Sequence, residues 1–165
     1  MDILIIRHGI ATPREEARDG DDRGRALTDR GRRRMRRVAR GLSRWVPRLD
    51  AIASSPYVRT LETARLVADR YPGLELVELP ALEPDGTPEE VAKWLSRHRD
   101  EAVVALVGHS PNLELLASWL LSGVTTSFLA LGKGSALLLH VRGARGPSSA
   151  ELIWHLPANL LRKVR

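Results

Sequence analysis

The chain contains no cysteine, so disulfides, thiol nucleophiles and cysteine-held metals are all excluded. Lysine is nearly missing: Lys93, Lys133 and Lys163 are the three present, and arginine carries almost all of the positive charge. Aromatic residues make up 4% of the chain, and they do not interleave with the arginines as base-stacking platforms would. No apolar run approaches the roughly 18–20 residues of a membrane span. The N-terminus enters an apolar strand through the acidic Asp2, which is not the pattern of a secretory signal. A cytoplasmic protein with no membrane partner is the expectation.

What is present fits a globular protein. With 165 residues, 43% of them apolar, the chain is expected to form one domain over 1–165 with a buried core. The net charge of +6 is unevenly placed, because the segment from Arg14 to Arg48 holds thirteen arginines against six acidic residues. Such a patch reads first as a solvated helix face. It could also attract an acidic partner, but without stacking aromatics nucleic acid is not the expected one.

The apolar run Ile3 to Ile6 reads as a buried strand, with Gly9 marking a sharp turn soon after it. Thr12 to Ala26 reads as a loop with room for a helical turn. Thr28 is the expected N-cap of a helix ended by Pro47, with Met35, Val38, Ala39, Leu42 and Trp45 on its inner face. Ala51 to Ala53 is a second short strand. Ser55 as N-cap and Pro56 at the first helical position then predict a helix that lays Leu61, Ala64, the Arg65 stem and Ala68 along one side. Leu74 to Leu79 alternates as a half-buried strand does. Thr87-Pro88-Glu89-Glu90 is a capping box, opening a helix that turns Val91, Trp94 and Leu95 inward. Ala102 to Val107 is a central strand, followed by an amphipathic helix through Leu113, Leu116, Ala117 and Leu120. Ser135 to Val141 and Glu151 to Leu156 close the sheet. Strands alternating with helices predict a three-layer α/β/α sandwich around a mostly parallel central sheet.

Three strand-to-helix transitions carry polar residues of one chemical kind. Arg7 and His8 follow the first strand, Arg59 lies in the first turn of the helix after the second, and His109 follows the central strand. Ligands bind at the carboxyl ends of strands in open α/β sheets, and helix N-termini there favour anions. Arginine gives a planar, permanently charged fork for a tetrahedral oxyanion. Histidine adds an exchangeable proton and a nucleophilic nitrogen near neutrality. Each residue taken singly also fits a structural or exposed role, and the reading rests on their convergence. Two histidines could instead ligate a metal, but a third ligand is needed and neighbouring arginines oppose a divalent cation. No metal and no cofactor are therefore expected.

Arg7-His8-Gly9, the segment Ser54-Ser55-Pro56-Tyr57-Val58-Arg59-Thr60-Leu61-Glu62-Thr63-Ala64 and Gly108-His109-Ser110 together resemble the histidine phosphatase superfamily, in its order and spacing. The short length, Arg25-Ala26-Leu27-Thr28 with Gly31, and the ending Leu156-Pro157-Ala158-Asn159-Leu160 resemble its compact SixA-type branch, associated with phosphohistidine on signalling proteins. The resemblance implies attack by His8 on phosphorus, a covalent phosphohistidine, and release of inorganic phosphate by water. Arg7, Arg59 and His109 would hold the phosphoryl oxygens, with Arg25 a further phosphate contact matched to the same branch. A hydrogen bond near Gly9 would fix the His8 tautomer.

The chain departs from larger relatives at the general acid, which they supply from an insertion. Here the corresponding stretch is Leu82-Glu83-Pro84-Asp85-Gly86, so Glu83 or Asp85 could serve, though Asp85-Gly86 also reads as turn chemistry. The Glu-Gly-containing segment of the mutases is missing as well. Phosphoramidates leave easily once protonated and alkyl phosphates need more help, which favours phosphohistidine of a signalling protein as substrate. The alternatives are phosphatase or mutase action on a small phosphate monoester, and a non-catalytic phosphate- or nucleic-acid-binding module. The expected partner is thus a phosphorylated protein or a small phosphorylated molecule.

Overall fold

The computed structural model describes residues 1–164. Its strands are β1 (Asp2–Arg7), β2 (Ala51–Ser54), β3 (Leu76–Glu78), β4 (Val103–Gly108), β5 (Ala136–Val141) and β6 (Ala150–Leu156). The helices are α1 (Asp29–Trp45), α2 (Val58–Ala68), α3 (Pro88–Leu95), α4 (Asn112–Ser122) and the single turn α5 (Ala158–Leu161). The strands form one sheet in the order β3-β2-β4-β1-β5-β6. β2 pairs in parallel with β3 and β4, and β4 with β1, while β5 and β6 run antiparallel at the far edge.

Alternation along β1 sets up the three layers. Ile3 and Ile5 pack with Val91, Leu95, Leu113 and Leu116 from α3 and α4 on one face. Leu4 and Ile6 pack with Met35, Val38, Leu42 and Val67 from α1 and α2 on the other. A strand covered on both faces must be apolar throughout, which is why β1 and β4 read as continuous runs. Thr28 caps α1 by accepting from the Gly31 amide at 3.0 Å, and the Thr87–Glu90 capping box opens α3 as expected.

Three local expectations are corrected. Trp45 is 52% exposed, not inward; it ends α1 against Trp154 of β6, ring centroids 6.2 Å apart. The second helix starts at Val58 with Tyr57 at the N-cap position, because Ser55, just past β2, is still tied to β4: its amide donates to the Val107 carbonyl at 3.0 Å. The inner face of α2 is consequently Arg59, Thr60, Thr63, Ala64 and Val67, while Leu61 is half-buried and Arg65 exposed. The two buried threonine hydroxyls are satisfied by nearby backbone carbonyls, Thr60 on Tyr57 and Thr63 on Arg59, both at 2.7 Å. Finally, α4 is buried beyond its apolar face. Glu114, Ser118 and Trp119 are covered too, since the later loops lie on it: the Leu131 amide donates to Glu114 at 2.9 Å, and the Ser148 amide to the Trp119 carbonyl.

Two glycines of α1 mark close approaches. A Cβ at Gly31 would lie 2.0 Å from the Ile10 carbonyl oxygen, and one at Gly41 would lie 2.1 Å from that of Leu161. In an ordinary helix Gly→Ala adds about 1 kcal/mol of stability. Here Gly31→Ala and Gly41→Ala are expected to lose about 1–3 kcal/mol from forced backbone shifts. Urea unfolding of each variant reads the sign, and a gain in stability would contradict the packing described.

Candidate active site

The parallel register of β1 on β4 places Arg7 opposite Gly108, and the His8 amide donates to the Gly108 carbonyl at 3.1 Å. Both strands therefore end at one edge, and the residues that follow, His8 and His109, bring their rings to 5.4 Å between centroids. α2 starts at the same edge and delivers Arg59, whose Nη2 lies 3.3 Å from His109 Nδ1. His8, Arg59 and His109 are each less than a tenth exposed. They line a cleft of about 540 Å³ together with Arg7, Arg25 and Asp85.

His8 Nδ1 lies 2.7 Å from the Gly9 carbonyl oxygen. A carbonyl can only accept, so Nδ1 carries the proton and Nε2 presents its lone pair. The Gly9 amide is held by Thr63 Oγ1 at 3.1 Å, which ties the turn to α2. Burial pushes the His8 pKa down to about 3; the Gly9 bond opposes this, and the neighbouring His109 and the Arg59 and Arg7 guanidinium groups reinforce it. His109 is likewise pushed to about 3, by burial and then by Arg59. Its Nδ1 accepts from the Arg59 guanidinium, so its Nε2–H is the donor to Ser55 Oγ at 2.9 Å. Both imidazoles are therefore neutral in the free protein at ordinary pH. Burial also lowers the pKa values of Arg7 and Arg59, yet a guanidinium stays charged under these conditions.

The arginines are held in place by acceptors at the rim. Arg7 Nη1 donates to the Leu131 carbonyl. Arg59 donates to the Asp22 carbonyl at 2.6 Å and to its carboxylate at 2.9 Å. Arg25 reaches the same carboxylate and the Thr12 carbonyl, both at 2.7 Å. Burial pushes the Asp22 carboxyl up, but the bonds from Arg59 and Arg25 more than offset it and leave the carboxyl below its ordinary range. Of the two acid candidates, exposed Asp85 lines the cleft. Glu83 is instead tied by its carboxylate to Arg23 and by its carbonyl to Asn112.

The structure thus brings together Arg7, His8, Arg25, Arg59, His109 and Asp85, and sets Glu83 aside. Sequence reasoning missed Asp22, Tyr57 and Lys133, all of which line the cleft. Asp22 meets Arg59 across 37 positions of chain and carries no local signal. Tyr57 stacks edge-on against His109, centroids 4.8 Å apart, with the Arg59 guanidinium 4.8 Å from its ring. Lys133 was legible in principle: a rare lysine between Gly132 and Gly134. Among the described residues, no three His, Cys, Asp or Glu side chains gather as a metal set. No described helix is long and apolar enough to cross a membrane.

The layered sheet and the arginine–histidine cleft at its carboxyl edge define a phosphate-handling α/β protein. The model of the histidine phosphatase superfamily (branch 1) matches residues 3–83. An uncharacterised protein of Picosynechococcus sp. is 33% identical over 148 residues, covering 88% of both chains. In structure, the chain is similar to the protein histidine phosphatase SixA complexed with tungstate (TM-score 0.83, 23% identity, 98% of this chain and 99% of that one). It is also similar to a mycobacterial glucosyl-3-phosphoglycerate phosphatase in complex with VO3 (TM-score 0.73, 18% identity, 93% and 97%). The chain belongs to the histidine phosphatase superfamily, and the class of enzyme that follows is a phosphatase.

The depressed histidine pKa values link stability to pH. In the unfolded chain a histidine titrates near 6.5, whereas His8 and His109 titrate at about 3 when folded. Their contribution is complete above about pH 6.5 and is lost progressively as pH falls toward 3, at up to about 1.4 kcal/mol per pH unit for each histidine. Urea unfolding at pH 7, 6 and 5 should show this decline. His109→Asn is expected to flatten the slope by up to one proton, and an unchanged slope would contradict a neutral buried His109.

Proposed function

We propose that the protein hydrolyses phosphoryl groups through a covalent intermediate on His8, acting on phosphohistidine of a partner protein. The observation that carries this reading is the 2.7 Å contact of His8 Nδ1 with the Gly9 carbonyl, because it leaves a neutral Nε2 lone pair beside two guanidinium groups. In the first step Nε2 forms a bond to phosphorus while the bond to the leaving group breaks. The leaving imidazole departs neutral, carrying its own proton. In the second, a water oxygen bonds to phosphorus, the N–P bond breaks, and inorganic phosphate leaves with His8 neutral again. Arg7 and Arg59 oppose the charge on the equatorial oxygens, and Arg25 adds to it from the rim. Fixed donors aimed at developing charge are the main source of rate in such reactions. His109 completes the ring of donors by turning its Nε2–H from Ser55 Oγ to a phosphoryl oxygen.

The substrate class is supported by what the cleft offers as acid. Asp22 is committed to two arginines and Glu83 to Arg23, so strong help for an alkoxide leaving group is not built in. A protonated imidazole leaving group does not need it. Asp85 on the cleft wall favours a second reading, hydrolysis of small phosphate monoesters with Asp85 as the acid.

Turnover of a phosphohistidine protein against a panel of sugar phosphates separates the two. Preference for a sugar phosphate, abolished by Asp85→Asn, would replace the first reading by the second. His8→Ala is expected to lose at least about 10³-fold in kcat. The trapped phosphoenzyme should be labile to acid, stable to alkali and absent from His8→Ala. Arg59→Lys, which keeps the charge and loses the fork, is expected to lose about 10²-fold. Near-normal turnover by His8→Ala would refute the mechanism.

A further inference from the structure

A second basic hollow of about 530 Å³ lies beside the C-terminal part of α1, lined by Arg37, Arg40 and Arg44 of that helix and by Arg162 and Lys163 after α5. It neighbours the catalytic cleft across a third, smaller hollow. This narrow hollow is lined by Arg34 and shares Lys133 with the cleft at one end and Arg162 with the basic hollow at the other. A track of cations therefore runs from Lys133 at the cleft, past Arg34 and Arg162, to Arg37, Arg40 and Arg44 of α1.

Three observations set this track apart from ordinary surface charge. Among the described residues none of its cations makes an ion pair, whereas Arg14, Arg23, Arg25, Arg32, Arg48 and Arg59 all have acidic partners. The cations are crowded: Arg34 is held below its usual pKa by partial desolvation and then by Arg30 and Arg162. Like charges one turn apart on a helix disfavour it, so Arg30 with Arg34, and Arg40 with Arg44, cost stability that no ion pair among the described residues offsets. The crowding is also built in. Gly41 lets α5 approach α1 to within contact of the Leu161 carbonyl, and Arg162 is fixed on the Ala158 carbonyl at 3.0 Å.

We propose that this track is the docking surface for an acidic segment of the phosphorylated protein substrate, aligned so that its phosphoryl group enters the cleft past Lys133. The proposal rests on the phosphatase reading above and names the partner it takes. Carboxylates suit the site because arginine forks bind them in pairs. A single-stranded nucleic acid suits it less well, since no aromatic side chain lines either outer hollow and such strands are held largely by stacking.

The test uses the full chain and three probes. The first is a fluorescent peptide with a run of six aspartates and glutamates, the second the same peptide with glutamines, and the third a single-stranded RNA of equal charge. Anisotropy is expected to show binding of the acidic peptide that weakens steeply with salt, weak binding of the glutamine peptide, and loss of about tenfold or more in affinity in the Arg37→Gln/Arg40→Gln/Arg44→Gln variant. With both peptides carrying a phosphohistidine, kcat/KM should favour the acidic one by a similar factor through KM. Turnover of p-nitrophenyl phosphate should be the same in the variant and the wild type. Equal binding of the two peptides, an unaffected variant, or RNA displacing the acidic peptide at lower concentration would each overturn the proposal. Binding without turnover of any phosphorylated probe would sink the phosphatase reading and leave the track standing, and turnover without charge preference would do the reverse.

Discussion

The parallel pairing of β1 with β4 is the constraint on which the site depends. It sets Arg7 opposite Gly108, so the residues after both strands leave the sheet at the same level and side by side. Side chains in register at the end of adjacent parallel strands have little freedom to diverge, and this is how two histidines 101 positions apart come to 5.4 Å. A slip of one residue would turn His8 or His109 into a sheet face and exchange the side chains fitted to the two packed faces. The core on both faces therefore protects the geometry of the edge. Stability and site are one constraint here.

Around that edge, electrostatics is arranged by burial more than by pairing. Desolvation is the largest influence on His8, His109, Arg7 and Arg59 alike. For the histidines it selects the neutral form, which gives a lone pair for chemistry. For the arginines it leaves charge in place while raising the cost of leaving that charge unmet. Asp22 meets part of it, bridging Arg59 and Arg25 from the polar loop before α1. A phosphoryl dianion would offer the same guanidinium groups more charge and more acceptor oxygens than one carboxylate does, so the free cleft is primed to exchange one anion for another.

Much of this was legible in the sequence wherever the signal was local. Continuous apolar runs gave β1 and β4, and the Thr28 and Thr87 caps gave the starts of α1 and α3, because caps and periodicity act within a few residues. Arg7, His8, Arg59 and His109 were legible because each stands at a strand end or in a helix's first turn. The failures share a different cause. Ser55-Pro56 carries a sound cap signal, yet the Ser55 amide is held on the Val107 carbonyl of β4 and its hydroxyl meets His109 Nε2, so tertiary demand overrode local preference. Thr60 and Thr63 were not among the residues expected on the inner side of α2, and they are buried because their own turn satisfies them. Asp22 was invisible, since its meaning comes entirely from a partner on another element. Glu83 and Asp85, two residues apart, were indistinguishable until Arg23 was seen to engage one of them.

That last distinction bears on what a compact member of this superfamily can do. An enzyme that lacks a long insertion over its cleft gives up a dedicated acid and also gives up walls that would sort small substrates by shape. Selectivity must then come from the leaving group and from surface outside the cleft. A phosphoramidate meets the first condition by its own chemistry. The second requires a partner large enough to touch both the cleft and a remote surface, which a sugar phosphate cannot do and a protein can. On the reading proposed above, an open cleft with little acid and an adjoining run of arginines without acidic partners among the described residues are two sides of one arrangement: catalysis suited to easily broken bonds, and recognition delegated to charge along α1.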